Sequence, residues 1–234
     1  KNPDLCWKIN MDGLLNVLEL SRKYKFRIFA PSSIAVFGSE VGRMAMQNSP
    51  QNPSTIYGVT KSAGELMAEY YHSAHGVDIR GLRYPGLISW KVMPGGGTTD
   101  YAVEIFHKAV ASENYTCFVN RQTRLPMMYM DDAINATISI MDSPTEKIKI
   151  RTSYNLSSLS FSPKQIELEI KKHIENFEVK YEPDERDNLA SGWPQSINDD
   201  YARKDWGWKP NYNLSHMVSD IILNLKKRYS KKKV

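Results

Sequence analysis

Residues 27–38, RIFAPSSIAVFG, and residues 55–86, TIYGVTKSAGELMAEYYHSAHGVDIRGLRYPG, carry the reading on which the fold turns. Arg27–Ala30 is a short apolar run and reads as a buried strand that stops at Pro31. Residues 55–75 read as a long helix, and Gly76 stands where a glycine closes one. Residues 77–84 then read as a second strand, stopped by Pro85-Gly86. Ahead of both strands, residues 9–24 place Ile9, Leu14, Leu15, Val17, Leu18 and Leu20 at helical spacing. The order helix, strand, helix, strand predicts an α/β fold with a parallel sheet and helices on both faces.

The second half changes character. The spacing predicts helices near 100–111, 131–142, 163–175 and 214–228, with short strands near 115–119 and 150–156. The tryptophan-rich stretch from Ala190 to Trp208 reads as irregular. A soft boundary near residue 90 divides the chain. Residues 1–90 hold the sheet, and 91–234 form mainly a smaller cap, with some segments returning to the sheet.

The net charge is +5, but KKRYSKKKV (226–234) supplies six of the basic side chains. The rest holds 25 basic against 26 acidic residues, so nucleic acid is not the expected partner. That terminal stretch reads as a solvated tail. Cys6 and Cys117 are too few for a disulfide framework or a cysteine zinc site. No metal site is expected. No apolar run approaches the ~20 residues of a membrane span.

Tyr57 and Lys61 lie four apart on the predicted helix and share a face. A nearby ammonium favours phenolate, so such a pair can do acid–base work. The spacing alone is not specific, because Tyr229 and Lys233 repeat it. Context adds weight. Ser32-Ser33 follow the first strand, and ligands of parallel sheets sit at the strands' carboxyl ends. The next strand ends at Pro85-Gly86. Hydroxyl, Tyr/Lys pair and Pro-Gly turn thus come in fixed order.

With those features, APSSIAVFG, PSTIYGVTKSAGE, LRYPGLIS, MYMDDAINA and RKDWGWKP together resemble the extended short-chain dehydrogenase/reductases, the NAD-dependent epimerase/dehydratase family. Within it, PGGGTTDYAVEIFH (94–107), RLPMMYMDD (124–132), FSP (161–163) and SGWPQSINDDYARKDWGW (191–208) resemble the short-chain L-threonine 3-dehydrogenases. The resemblance implies a Rossmann-like domain with a substrate-binding cap, NAD as cofactor, L-threonine as small-molecule substrate, and a homodimer. The dimer contact would use the helices near 10–24 and 55–75, with Leu66, Met67 and Tyr71 facing outward. The family's Gly-rich phosphate-binding turn has no match here, and the resemblance implies roughly 80 residues ahead of Lys1. It implies a mitochondrial enzyme in a eukaryote and a cytoplasmic one otherwise.

By the same resemblance, Tyr57 is the general base, Lys61 lowers its pKa and binds the nicotinamide ribose, and Ser33 holds the reacting oxygen. Pro31, Ser32, Tyr84, Pro85, Gly86 and Leu87 would line the cofactor. Gly97, Thr98, Thr99 and Trp193, with Ser33 and Tyr57, would contact the substrate. The Asp131-Asp132 pair is expected to be structural. Two other readings stand beside this one: a nucleotide-sugar epimerase or dehydratase of the same family, and a non-catalytic remnant.

Overall fold

The computed structural model describes residues 2–231. In chain order the elements are α1 (Pro3–Trp7), α2 (Gly13–Tyr24), β1 (Ile28–Ser33), β2 (Met44–Ala45), α3 (Ile56–His75), β3 (Ile79–Tyr84), β4 (Gly86–Ile88) and α4 (Tyr101–Val110). There follow β5 (Tyr115–Cys117), β6 (Leu125–Tyr129), α5 (Met130–Asp142), β7 (Tyr154–Asn155), β8 (Leu159–Phe161) and α6 (Pro163–Lys171). The chain continues through β9 (Val179–Tyr181), α7 (Glu185–Ser191), β10 (Ser196–Ile197), α8 (Asp200–Trp206) and α9 (Leu214–Lys231). A π-helical turn, Lys8–Asp12, joins α1 to α2.

The central pairing is parallel, in the order β1–β3–β7, with register from Ile28 opposite Ile79 to Ser33 opposite Tyr84. Helices cover both faces. On one, Leu18 of α2 and Ala68 and Tyr71 of α3 pack with Ile28 and Ile79. On the other, Ala133, Ala136 and Ile140 of α5 pack with Leu82 and Tyr154, joined by Trp206 and Trp208. This is the α/β class with a parallel sheet, in which β3 is buried along nearly its whole length and β1 only in part. A larger core cluster lies in the part expected to form the cap, where α4, α6 and α9 pack around Tyr101, Ile105, Phe106, Ile166, Ile170 and Met217.

Several elements differ from the sequence expectation. β1 runs through Pro31 to Ser33. Among the described residues it pairs only with β3, and an edge position tolerates the missing N–H. The tryptophan-rich stretch is ordered into the end of α7, β10 and α8. Trp206 and Trp208 are buried against the sheet, and the Trp208 indole donates to Asp199 Oδ2 (3.0 Å). The first six residues of the basic tail continue α9, where Arg228 donates to Lys91 O (2.8 Å) and Tyr229 OH lies 3.2 Å from His107 Nδ1. Lys233 lies outside the described residues.

Leu66 does face outward (68% exposed), but Tyr71 and Met67 pack inward. Residues 67 and 71 are four apart and share a face, whereas residue 66 is turned about 100° from 67. Tyr71 OH is also drawn across to Glu19 Oε1 of α2 (2.6 Å). The exposed apolar side chains here include Trp7, Ile9, Leu15, Leu20, Val59, Leu66 and Tyr70.

The start of β3 is tied down by charge. Asp78 pairs with Arg80, Arg151 and Arg27 at 2.7–3.0 Å. Burial pushes its carboxyl pKa up, but the three arginines outweigh burial and hold it well below the usual aspartate range. A carboxylate whose pKa is depressed by folding stabilises above its unfolded value, about 4, and loses that contribution as pH falls through the folded value. Asp78→Asn is therefore expected to cost roughly 3 kcal/mol at neutral pH, because Arg80 is left buried and unpaired. Urea unfolding across pH should show the gap to wild type narrowing below about pH 4.

Candidate active site

Thr55 decides where α3 begins: its Oγ1 accepts from Gly58 N (3.1 Å), and helical geometry starts at Ile56. Tyr57 is thereby set in the first turn, beside the carboxyl end of β1. There Ser33 Oγ accepts from Ala35 N (3.2 Å) and starts the single turn Ile34–Val36. The two segments approach closely at Gly58. A Cβ on that residue would lie 2.2 Å from Ala35 O and 2.6 Å from Pro53 Cβ.

The two hydroxyls open into one cavity of about 1050 Å³. Of the residues expected from sequence, Ser33, Tyr57, Pro85, Gly86, Leu87, Gly97, Thr98, Thr99 and Trp193 all line it. That volume exceeds what one amino acid needs and leaves room for a second group. Gly86 is demanded by packing here, since a Cβ would meet Met127 Sδ at 2.4 Å and Thr99 Cγ2 at 2.8 Å. Asp100 Oδ2 accepts from Gly96 N (2.7 Å) and Gly97 N (2.6 Å) and folds the glycine loop back over its own helix start.

Pro31, Ser32 and Lys61 line a smaller adjacent groove of about 250 Å³ instead. The Ser32 hydroxyl points inward to Glu65 (2.5 Å). Tyr84 sits off the cavity altogether, its hydroxyl engaged by Thr137 and Ala133 O of α5. A side-chain contact from Tyr84 to a cofactor is therefore not what this geometry offers. Asp132 is buried and accepts from Asn211 N (2.9 Å) and Tyr212 N (3.2 Å), a structural tie between α5 and the lead-in to α9.

Lys61 Nζ donates to Pro31 O (2.8 Å) and stands 5.5 Å from the centre of the Tyr57 ring. An ammonium has three donors. One is used on this carbonyl, and two remain. Although 44% of Tyr57 is exposed, desolvation raises its phenol pKa, and the Ser33 hydroxyl works against that rise. Desolvation also lowers the Lys61 pKa. The expected lowering of the Tyr57 pKa by Lys61 is not seen here: burial shifts both groups in the direction of their neutral forms.

Sequence reasoning missed several contributors. Asn10, in the π-helical turn, donates to Thr60 Oγ1 (2.8 Å), which in turn donates to Tyr57 O (2.8 Å). Its only signal was a polar residue within an apolar helical pattern. From the cap, Asp184, Glu185 and Arg186 reach the cavity wall. Arg186 is held by Asp184 (2.6 Å) and lies over the Phe118 ring, 3.2 Å from its centre. Nothing in the spacing of these residues connects them to Tyr57.

Residues 1–157 match the model of the NAD dependent epimerase/dehydratase family. The chain belongs to that family. A Staphylococcus haemolyticus protein called an uncharacterized epimerase/dehydratase is 46% identical over 234 residues, spanning 99% of this chain and 74% of that protein. The holo form of a GalE-like L-threonine dehydrogenase from Cupriavidus necator is 52% identical with a TM-score of 0.95, covering 97% of this chain and 74% of that one. A monomeric L-threonine 3-dehydrogenase from a metagenome is 54% identical with a TM-score of 0.94, again over 97% of this chain and 74% of the other. These likenesses establish the Rossmann-like fold, and the family is one of NAD-dependent enzymes.

The close approach at Gly58 has a measurable consequence. Gly58→Ala is expected to destabilise the chain by roughly 1–3 kcal/mol, because backbone rather than a mobile side chain must move. Chemical denaturation of the two forms checks it.

Proposed function

We propose that the protein is an NAD-dependent oxidoreductase that oxidises L-threonine at its β-hydroxyl to 2-amino-3-ketobutyrate. The observation that carries this reading is the single cavity joining Ser33 and Tyr57 to the Pro85–Leu87 turn and the Gly97–Thr99 loop. The named threonine dehydrogenases at 52% and 54% identity support it.

In this reading Tyr57 takes the proton of the substrate hydroxyl, and Ser33 orients the same oxygen by a hydrogen bond. Lys61 would stabilise the phenolate and hold the ribose of bound NAD, and the Pro85–Leu87 turn would hold its nicotinamide. NAD bound there supplies the two-electron acceptor for oxidation at the β-carbon. Thr98 and Thr99 offer hydroxyls to the substrate's polar groups, and Trp193 closes the cavity from the cap side. Because burial favours the neutral phenol, rate should climb with pH as Tyr57 ionises.

The second reading, a nucleotide-sugar epimerase or dehydratase, draws on the name of the Staphylococcus relative. Parallel assays decide between them: turnover of L-threonine with NAD and none of nucleotide sugars supports the first, and the reverse supports the second. No turnover of either substrate, with no NAD binding in the longer protein, supports a non-catalytic chain.

In a longer protein carrying a nucleotide-binding segment, Tyr57→Phe is expected to cut threonine oxidation by ~10²-fold or more. Ser33→Ala should lower the rate and move its alkaline rise to higher pH, since the Ser33 hydroxyl works against the burial that raises the Tyr57 pKa. Lys61→Met should move the alkaline rise to higher pH. Near-wild-type turnover in Tyr57→Phe would remove the mechanism. Chelators should leave activity unchanged.

We also propose a homodimer across the exposed apolar side chains of α1, α2 and α3, an isologous contact. Sedimentation at micromolar concentration should show a dimer that Leu66→Glu dissociates. A monomer in the wild type would align the chain with the monomeric metagenome enzyme instead.

A further inference from the structure

Glu65 has no part in the chemistry above, yet it lies four residues beyond Lys61 and eight beyond Tyr57, on the same side of α3. It is buried (3% exposed), and its carboxylate is fully used. Oε1 accepts from Ser32 Oγ (2.5 Å) and Arg83 Nε (2.9 Å). Oε2 accepts from Arg83 Nη2 (2.6 Å) and Gln51 Nε2 (2.7 Å). Ser32 stands between the residue whose carbonyl holds Lys61 and the residue whose hydroxyl faces the cavity. The last three residues of β1 are therefore pinned to α3 at two points, Lys61 to Pro31 O and Ser32 to Glu65.

We propose that Glu65 is a positioning residue that acts through Ser32, fixing the end of β1 so that the Pro31 carbonyl stays on Lys61 and Ser33 stays beside Tyr57. The inference rests on the reading of Tyr57 and Lys61 as the acid–base pair. Arg83 gives the carboxylate its charge partner and makes it a rigid acceptor. Ser32 converts that rigidity into a fixed strand end. A hydrogen bond from Lys61 to a fixed carbonyl favours the charged ammonium. If the strand end loosens, the ammonium loses that acceptor and titrates at lower pH. The other titratable groups facing Lys61 are Tyr57 and Glu65 on its own helix and Cys6 from α1. β1 contributes none. On its cavity side Tyr57 shares the wall with Asp184, Glu185 and Arg186.

The test needs no bound cofactor. Lysine labelled at Cε with carbon-13 allows the Lys61 signal, identified by its loss in Lys61→Met, to be titrated in the 234-residue chain. Ser32→Ala leaves the Glu65–Arg83 pair intact and is expected to lower the Lys61 midpoint by roughly half a pH unit, the usual worth of one hydrogen bond. Ser32→Thr, which keeps the hydroxyl, should restore it. Glu65→Gln should lower it too, and because that variant risks misfolding around Arg83, Ser32→Ala is the deciding one. A Ser32→Ala chain with a lowered melting temperature but an unmoved Lys61 midpoint would overturn the proposal and leave Glu65 a purely structural ion pair. So would a Thr variant no better than Ala. In the longer protein, Ser32→Ala should lower kcat about five-fold while KM for the amino acid holds. If Tyr57→Phe kept full turnover, the proposed reaction would fall, whatever Lys61 did. If Tyr57→Phe were inactive and Lys61 unmoved by Ser32→Ala, only the positioning role would fall.

Discussion

The six-residue parallel register between β1 and β3 is the constraint on which the rest depends. Parallel strands need a crossover, and α3 supplies it. A crossover helix runs back along the sheet, so its first turn lies at the carboxyl end of the strand before it. Ser33, Tyr57 and Pro85 are consequently brought to one edge of the sheet by topology, although they lie 24 and 28 residues apart along the chain. The Thr55 cap and the close contact at Gly58 then set the depth at which Tyr57 sits.

Charge is placed inside this layer with its partners. Arg80, completely buried, satisfies carbonyls at the end of α5 as well as Asp78, and so ties helix, strand and loop together. Glu65 and Arg83 do the same under the site. Such pairs cost desolvation that their attraction repays only when every donor and acceptor is used, which is the case for the Glu65 carboxylate. Tyr57 and Lys61 are treated differently. They are partly desolvated without a carboxylate partner, and burial raises the Tyr57 pKa and lowers that of Lys61.

The cap joins the sheet through short pairings and through Trp193. β10 lies parallel to β2, and β4 pairs with β6, so late segments are threaded beside early ones. Trp193 packs against the cap core and also against the small cluster of Ile34, Val36 and Phe37 that follows Ser33.

The sequence by itself determined the local elements with strong signals. The helix from residue 55 to Gly76, the two strands, the Pro85-Gly86 turn and the glycine loop could all be read, because periodicity and caps are local properties. Ser33, Tyr57 and Thr98-Thr99, singled out by their motifs and the family resemblance, line one cavity. What only the tertiary structure decided was partnership. Pro31 looked like a stop, but β1 runs through it to Ser33, pairing among the described residues with β3. Ser32 and Tyr84 looked like cofactor neighbours, yet one turns to Glu65 and the other to α5. The tryptophan-rich stretch looked irregular, though burial against the sheet orders it. Asn10 gave only a polar residue in an apolar pattern, Glu65 stood in a quoted motif without a role, and Arg186 gave no signal. A hydrogen bond or an ion pair between residues far apart in sequence leaves no periodicity behind, and which of two polar side chains faces the cavity depends on the packing of elements that the local pattern does not encode.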